Sequence, residues 1–93
     1  MNQYLMLNHG SGSSEEWTAY IQLLISNHHL QGGSALADGI SLQNSSFSVP
    51  ISPTITGYIL IQAESLDQAQ SLMAQSPVHK SGGTVELFTL VRT

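Results

Sequence analysis

Residues Gly57 to Arg92 read GYILIQAESLDQAQSLMAQSPVHKSGGTVELFTLVR, and their pattern changes period twice. The opening Tyr58-Ile59-Leu60-Ile61 run is aromatic and β-branched and follows a glycine, which predicts a strand. Ser65-x-x-Gln68 then has the form of a capping box: the serine oxygen takes an orphan amide of the first helical turn while Gln68 reaches back. Leu66, Ala69, Leu72 and Met73 recur at three-to-four-residue spacing, so a helix is expected from Ser65 to about Gln75. Pro77 ends it, because proline lacks the amide and pushes the preceding residue out of the helical region. Gly82-Gly83 marks a turn, and Thr84 to Val91 returns as a strand. The unit is strand, helix, strand.

Working back toward the N-terminus, the same order appears again. Tyr4 to Leu7 is a short apolar run closed by Asn8, His9 and Gly10, expected as the first strand over Asn2 to Asn8. Ser13-x-x-Glu16 is a second capping box, with Glu15 and Glu16 favourably placed against the helix dipole. From about Ser14, Trp17, Tyr20, Ile21, Leu24 and His28 form one stripe, with fraying near Asn27 and Trp17 as the largest anchor. Leu30 to Leu42 is less regular. Its glycine pair predicts an early break, Ala35 to Ala37 a short strand and Asp38-Gly39 a turn, so a broken or bulged strand is expected. Asn44 to Ser46 reads as another turn, and Phe47 to Ile51, with Pro50 and Pro53 near it, as an edge strand.

The sum is an α+β chain, a ferredoxin-like split βαβ antiparallel sheet with two helices on one face, in a single domain over residues 1–93. In the strands Tyr4 and Met6 alternate with Leu5 and Leu7, Tyr58 and Leu60 with Ile59 and Ile61, and Val85, Leu87 and Val91 with Phe88 and Leu90. Both faces are therefore apolar. Two helices cover one, so a homodimer packed sheet against sheet is expected.

Composition narrows the partners. Charged residues make up 9% of the chain, against about 25% in ordinary soluble domains, and the net charge is −4. Fourteen serines and eight glutamines supply the polar surface instead. Lys80 and Arg92 are the only basic side chains besides histidine, which argues against nucleic acid and anionic membrane surfaces. No apolar run reaches the roughly 20 residues of a spanning helix, and the N-terminus has neither the basic start nor the apolar length of a signal peptide. Without cysteine there is no disulfide or thiolate chemistry. A cytoplasmic protein is expected.

The order and spacing of these pieces resemble one family. The YLML strand, Glu15-Glu16-Trp17 opening the first helix, Leu30 to Leu36, Gly57 to Ala69, Pro77 and Gly83 to Leu87 are similar to the YCII-related proteins, and within them to the DGPF-domain branch. The resemblance implies a dimeric α+β barrel. Two departures bear on function. Where the Asp-Gly-Pro-Phe motif would precede the third strand, the chain reads Ile51-Ser52-Pro53-Thr54-Ile55-Thr56. Trp17 stands where the resemblance places the histidine of a proposed histidine–aspartate acid-base pair, so that catalytic dyad is not retained.

The remaining chemistry lies in four histidines and six acids. His28 and His29 are adjacent and would diverge by about 100° on a helix, which leaves no expected metal site. His9 and His79 sit at strand and loop ends where a pocket of this fold would open. Helix dipoles account for Glu15, Glu16 and Asp67, and a turn for Asp38, the one aspartate free to pair with a histidine. Glu64 and Glu86, at or within strands, are the other pocket candidates. No glycine-rich phosphate loop or serine elbow is present, and no cofactor is expected. Two functions fit. One is binding of a small, mostly apolar molecule between sheet and helices, with Trp17, Tyr20, Tyr58 and Glu64 lining the site. The alternative is a small lyase or isomerase in which His79 or His9 works with Asp38 or Glu64. Against both stands the ordinary reading of surface histidines and core aromatics.

Overall fold

The computed structural model describes residues 1–41 and 54–91. Along the chain these are β1 (Asn2–His9), α1 (Ser14–Ser26), β2 (Leu30–Ala35), β3 (Gly57–Ala63), α2 (Leu66–Ala74), α3 (Pro77–Lys80) and β4 (Thr84–Thr89). The four strands form one antiparallel sheet in the order β2-β3-β1-β4. This is the ferredoxin-like split βαβ arrangement, with the helices on one face. The turn expected at Asn44 to Ser46 and the edge strand expected at Phe47 to Ile51 lie outside the described residues.

Pairing fixes which side chains share a face. Tyr4 lies opposite Ile61, Met6 opposite Ile59 and Leu87, and Asn8 opposite Gly57 and Val85. Those positions look toward the helices, where Tyr4, Met6, Ile59, Ile61 and Ala63 are buried with Tyr20 and Leu24 of α1 and Ala69 and Leu72 of α2. Fully burying each large side chain contributes about 1.5–3 kcal/mol, so this face holds the hydrophobic stabilisation of the protomer. On the other face Leu5, Leu7, Tyr58 and Leu60 are half-exposed and Phe88 is 46% exposed.

The first capping box forms as read and the second in part. Ser13 and Glu16 exchange hydrogen bonds of 3.1 and 3.2 Å in a complete box. The Ser65 hydroxyl accepts from the Gln68 amide at 3.1 Å, while the Gln68 side chain reaches one residue further back, to the Glu64 amide at 2.7 Å.

Four local expectations are corrected. The bulge expected in this segment is present, between Leu30 and Gly32, but the strand runs from Leu30 to Ala35, where a short strand from Ala35 to Ala37 was expected. Glycine is there for close approach, because a Cβ on Gly33 would stand 2.7 Å from the Tyr58 carbonyl oxygen. His28 does not extend the α1 stripe. The helix closes in a Schellman turn, His29 N–H to Leu24 O at 2.8 Å and His28 N–H to Ile25 O at 3.1 Å, with His28 itself at φ 60°. It is His29 that is buried, donating from Nδ1 to the Gln62 carbonyl at 2.9 Å. Trp17 is half-buried and meets Tyr20 edge-on, with centroids 6.1 Å apart, so Tyr20 and Leu24 are the deeper anchors of α1. Finally, Pro77 ends one helix and starts another: Ser76 caps α3 through the His79 amide with Pro77 in its first turn, which puts His79 on a helix rather than in a loop.

Candidate functional site

A cavity of about 540 Å³ opens between α1 and the sheet, where the C-terminal end of β1 meets β2 and the start of β3. That volume suits a small organic ligand. Trp17 and Ile21 supply the helix wall, and Leu30 and Ile59 the apolar side of the sheet. Gly33, Ala35 and Gly57 give the sheet a floor with little or no side chain, since their pairing turns them the same way as Ile59. Among the described residues no charged side chain lines the cavity.

The polar group at its floor is Asn8. The residue is 3% exposed, and its side-chain oxygen has no hydrogen-bond partner among the described residues. Its backbone, by contrast, is fixed: the carbonyl accepts from the Thr56 amide at 2.8 Å, and β3 and β4 flank it. A buried acceptor left without a donor costs about 1–3 kcal/mol. Asn8 thus has a fixed backbone and a buried side-chain oxygen with no partner among the described residues.

The next residue, His9, lies on the other face of the sheet. Its Nε2 is 2.5 Å from Glu86 Oε1 on β4 and its Nδ1 is 2.8 Å from Thr54 Oγ1, in a shallow cleft with Gly82, Gly83 and Thr84. The cavity and this cleft meet at Gly10 and Thr56, which border both, and the Thr56 hydroxyl donates to the Gly10 carbonyl at 2.6 Å. Strand alternation keeps the His9 ring out of the cavity.

The expected site residues therefore separate. Trp17 lines the cavity with its indole. Tyr58 also borders it, but alternation with Ile59 sends its ring to the open face, leaving its backbone in the wall. Tyr20 is buried beside the cavity, donating its hydroxyl to the Leu72 carbonyl at 2.7 Å, and burial pushes that hydroxyl well above the ordinary tyrosine range. Glu64 is exposed beyond the far end of β3, at the start of α2. Asp38 is exposed at a bend after β2. His79 bonds through Nδ1 to the Ala74 carbonyl at 3.1 Å, closing the end of α2. Among the described residues no hydrogen bond or ion pair joins Asp38, Glu64 or His79 to another candidate, and no cluster suited to a metal ion is present. Asn8 was not singled out from the sequence. Its signal was parity, a polar side chain in register with Tyr4 and Met6 on the buried side of the strand.

No family model matches the chain, and no curated protein matches it. Three solved chains do match in structure. One is 5-chloro-2-hydroxyhydroquinone dehydrochlorinase (TftG) from Burkholderia phenoliruptrix AC1100, in complex with 2,5-dihydroxybenzoquinone. The superposition has a TM-score of 0.61 and covers 98% of this chain and 95% of that one at 15% sequence identity, so what the two share is the fold.

Proposed function

We propose that this chain is a single-domain homodimer that binds a small, mostly apolar molecule in the cavity between α1 and the sheet. The observation that carries this reading is the cavity itself: apolar walls and, among the described residues, no charged side chain in its lining. Support for the dimer comes from the open face, where Leu5, Leu7, Leu60 and Phe88 lie together as an apolar patch on the side away from the helices. The fold is one in which a neighbour, a dehydrochlorinase, was solved with a small ring compound bound. The site differs from the YCII-related dyad, since Trp17 occupies the position the resemblance assigns to histidine. Cytoplasmic placement accords with the cysteine-free sequence and with the lack, among the described residues, of a helix long and apolar enough to cross a membrane.

Native mass spectrometry of the purified protein tests both parts. The expected spectrum is a dimer, and the expected companion result is that uncharged ring compounds raise the melting temperature. A monomer at micromolar concentration would remove the dimer, and a small-molecule library without a single stabilising member would remove the ligand.

A second reading is a lyase or isomerase, favoured by the His9–Glu86 pair. A carboxylate on Nε2 and a hydroxyl on Nδ1 orient an imidazole for proton transfer. Its substrate would lie in the cleft on the open face, not in the cavity. For this reading, His9→Ala must abolish turnover while the protein stays folded; retained turnover rejects it.

A further inference from the structure

We infer that Thr54, His9 and Glu86 form a hydroxyl–imidazole–carboxylate triad that transfers short, uncharged acyl groups from esters; this rests on the His9–Glu86 pair of the second reading above and assigns it a different reaction. Three places in the chain supply the groups. His9 ends β1 and Glu86 lies in β4, where the register pairs Leu7 with Glu86 and His9 with Thr84, so the two side chains are diagonal neighbours on the open face. Thr54 comes from the segment leading into β3. Two residues on, Thr56 is tied to the end of β1 through its amide to the Asn8 carbonyl at 2.8 Å and its hydroxyl to the Gly10 carbonyl at 2.6 Å, which brings this segment against the histidine.

The sense of each hydrogen bond follows from the acid. An ionised carboxylate only accepts, so Glu86 takes the Nε2 proton at 2.5 Å. In the neutral ring this leaves Nδ1 bare, and the Thr54 hydroxyl at 2.8 Å donates to it. A hydroxyl on a base that a carboxylate orients is the arrangement that activates a nucleophile, and it is recognised by geometry rather than by order in the chain. The imidazole is 15% exposed, while Thr54 is exposed at the cleft that both residues border. Apart from His9 and Glu86, the described lining of that cleft is glycine and threonine, which leaves room for a short acyl group and offers no cation to an anionic one.

The reaction runs in two halves. Thr54 Oγ1 attacks the ester carbonyl carbon as its proton passes to His9 Nδ1, and Glu86 stabilises the imidazolium. The bond from the carbonyl carbon to the leaving oxygen breaks, and the departing alcohol takes the proton from Nδ1. Water then attacks the acyl-threonine and gives a proton to Nδ1, the acid leaves, and the Thr54 oxygen recovers its proton.

p-Nitrophenyl acetate and the purified wild-type protein test this. The expected result is release of p-nitrophenolate, with an acetyl group located on Thr54 by peptide mass mapping after acid quenching. Thr54→Val, which keeps the shape and removes the hydroxyl, should slow release about hundredfold, whereas Thr54→Ser should retain it. An acetyl group on His9, Lys80 or the N-terminus in place of Thr54, or undiminished release from Thr54→Val, would overturn the inference and leave the His9–Glu86 pair to the proton transfer of the second reading. Absence of release above the buffer rate would overturn it as well. If Thr54→Val does not fold, the position of the acetyl group on the wild type decides.

Discussion

Asn8 and His9 are neighbours in one strand and stand on opposite faces of one sheet. On the Asn8 face, side chains from three strands and two helices close over Tyr4, Met6 and Ile61, and the buried Asn8 oxygen has no hydrogen-bond partner among the described residues. On the His9 face the polar groups have found one another, His9 with Glu86 and Thr54, while the apolar ones, Leu5, Leu7, Leu60 and Phe88, have not been covered by the protomer. The two faces carry similar residues. They differ in what packs against them, and so hydrophobicity alone did not decide which one became the core.

The contrast can be broken by substitutions at adjacent positions. Met6→Ala removes a fully buried side chain from the helix face and is expected to cost about 2–5 kcal/mol, read by chemical denaturation. On the proposed dimer, Leu7→Asp, one residue on, should leave the protomer folded and halve the native mass, because a charge would be buried between the two copies. If Leu7→Asp unfolds the protomer instead, the open face belongs to the protomer's own core and the contrast is false.

Smaller effects sharpen the helix face. Gly12→Ala puts a Cβ 2.4 Å from Pro77 Cβ and 3.3 Å from Trp17 Nε1, and should cost about 1–3 kcal/mol while shifting the Trp17 emission. A neutral emission change would mean that the loop before α1 does not position the cavity wall. Tyr20→Phe should cost about 1 kcal/mol, since the Leu72 carbonyl keeps the Gln75 amide at 3.2 Å as a second donor. It should also change the alkaline limit. Burial raises the Tyr20 hydroxyl in the folded state, so the unfolded chain ionises first, and stability falls as pH rises above the ordinary tyrosine value of about 10. The phenylalanine variant should lose that part of the alkaline slope; an unchanged slope would place its origin elsewhere. The smallest effect is expected at His28, whose φ of 60° is unfavourable for any residue with a Cβ. His28→Gly should stabilise by about 1 kcal/mol or less, and destabilisation would show that the His28 side chain holds the turn.

Several elements could be read directly because local rules and tertiary packing agree there. Ser13 and Glu16 do in the structure what a capping box does in a peptide. The alternation of Tyr4, Met6, Ile59 and Ile61 matches their burial residue by residue. Where the reading failed, a distant partner had changed the local preference. The glycine pair of β2 marks an irregular strand by local rules, yet Gly33 sits within the ladder, where the Tyr58 carbonyl passes too close for a Cβ. Proline at position 77 stops α2 and, given Ser76 before it, also begins α3.

The candidate site was less legible than the fold. Trp17 was expected at the cavity and lines it, but Asn8 was taken as the end of a strand. The partner of His9 was sought in Asp38 or Glu64, and β4 brings Glu86 to it across 77 positions of sequence. Patterning fixed the order of strands and helices and the alternation of their faces, because these follow from the helical and strand periods of the chain itself. Which of two apolar faces is covered, which histidine meets an acid, and which polar side chain is buried without a donor were decided by tertiary structure. Each depends on what strand pairing and helix docking bring from far along the chain, and no local period encodes that.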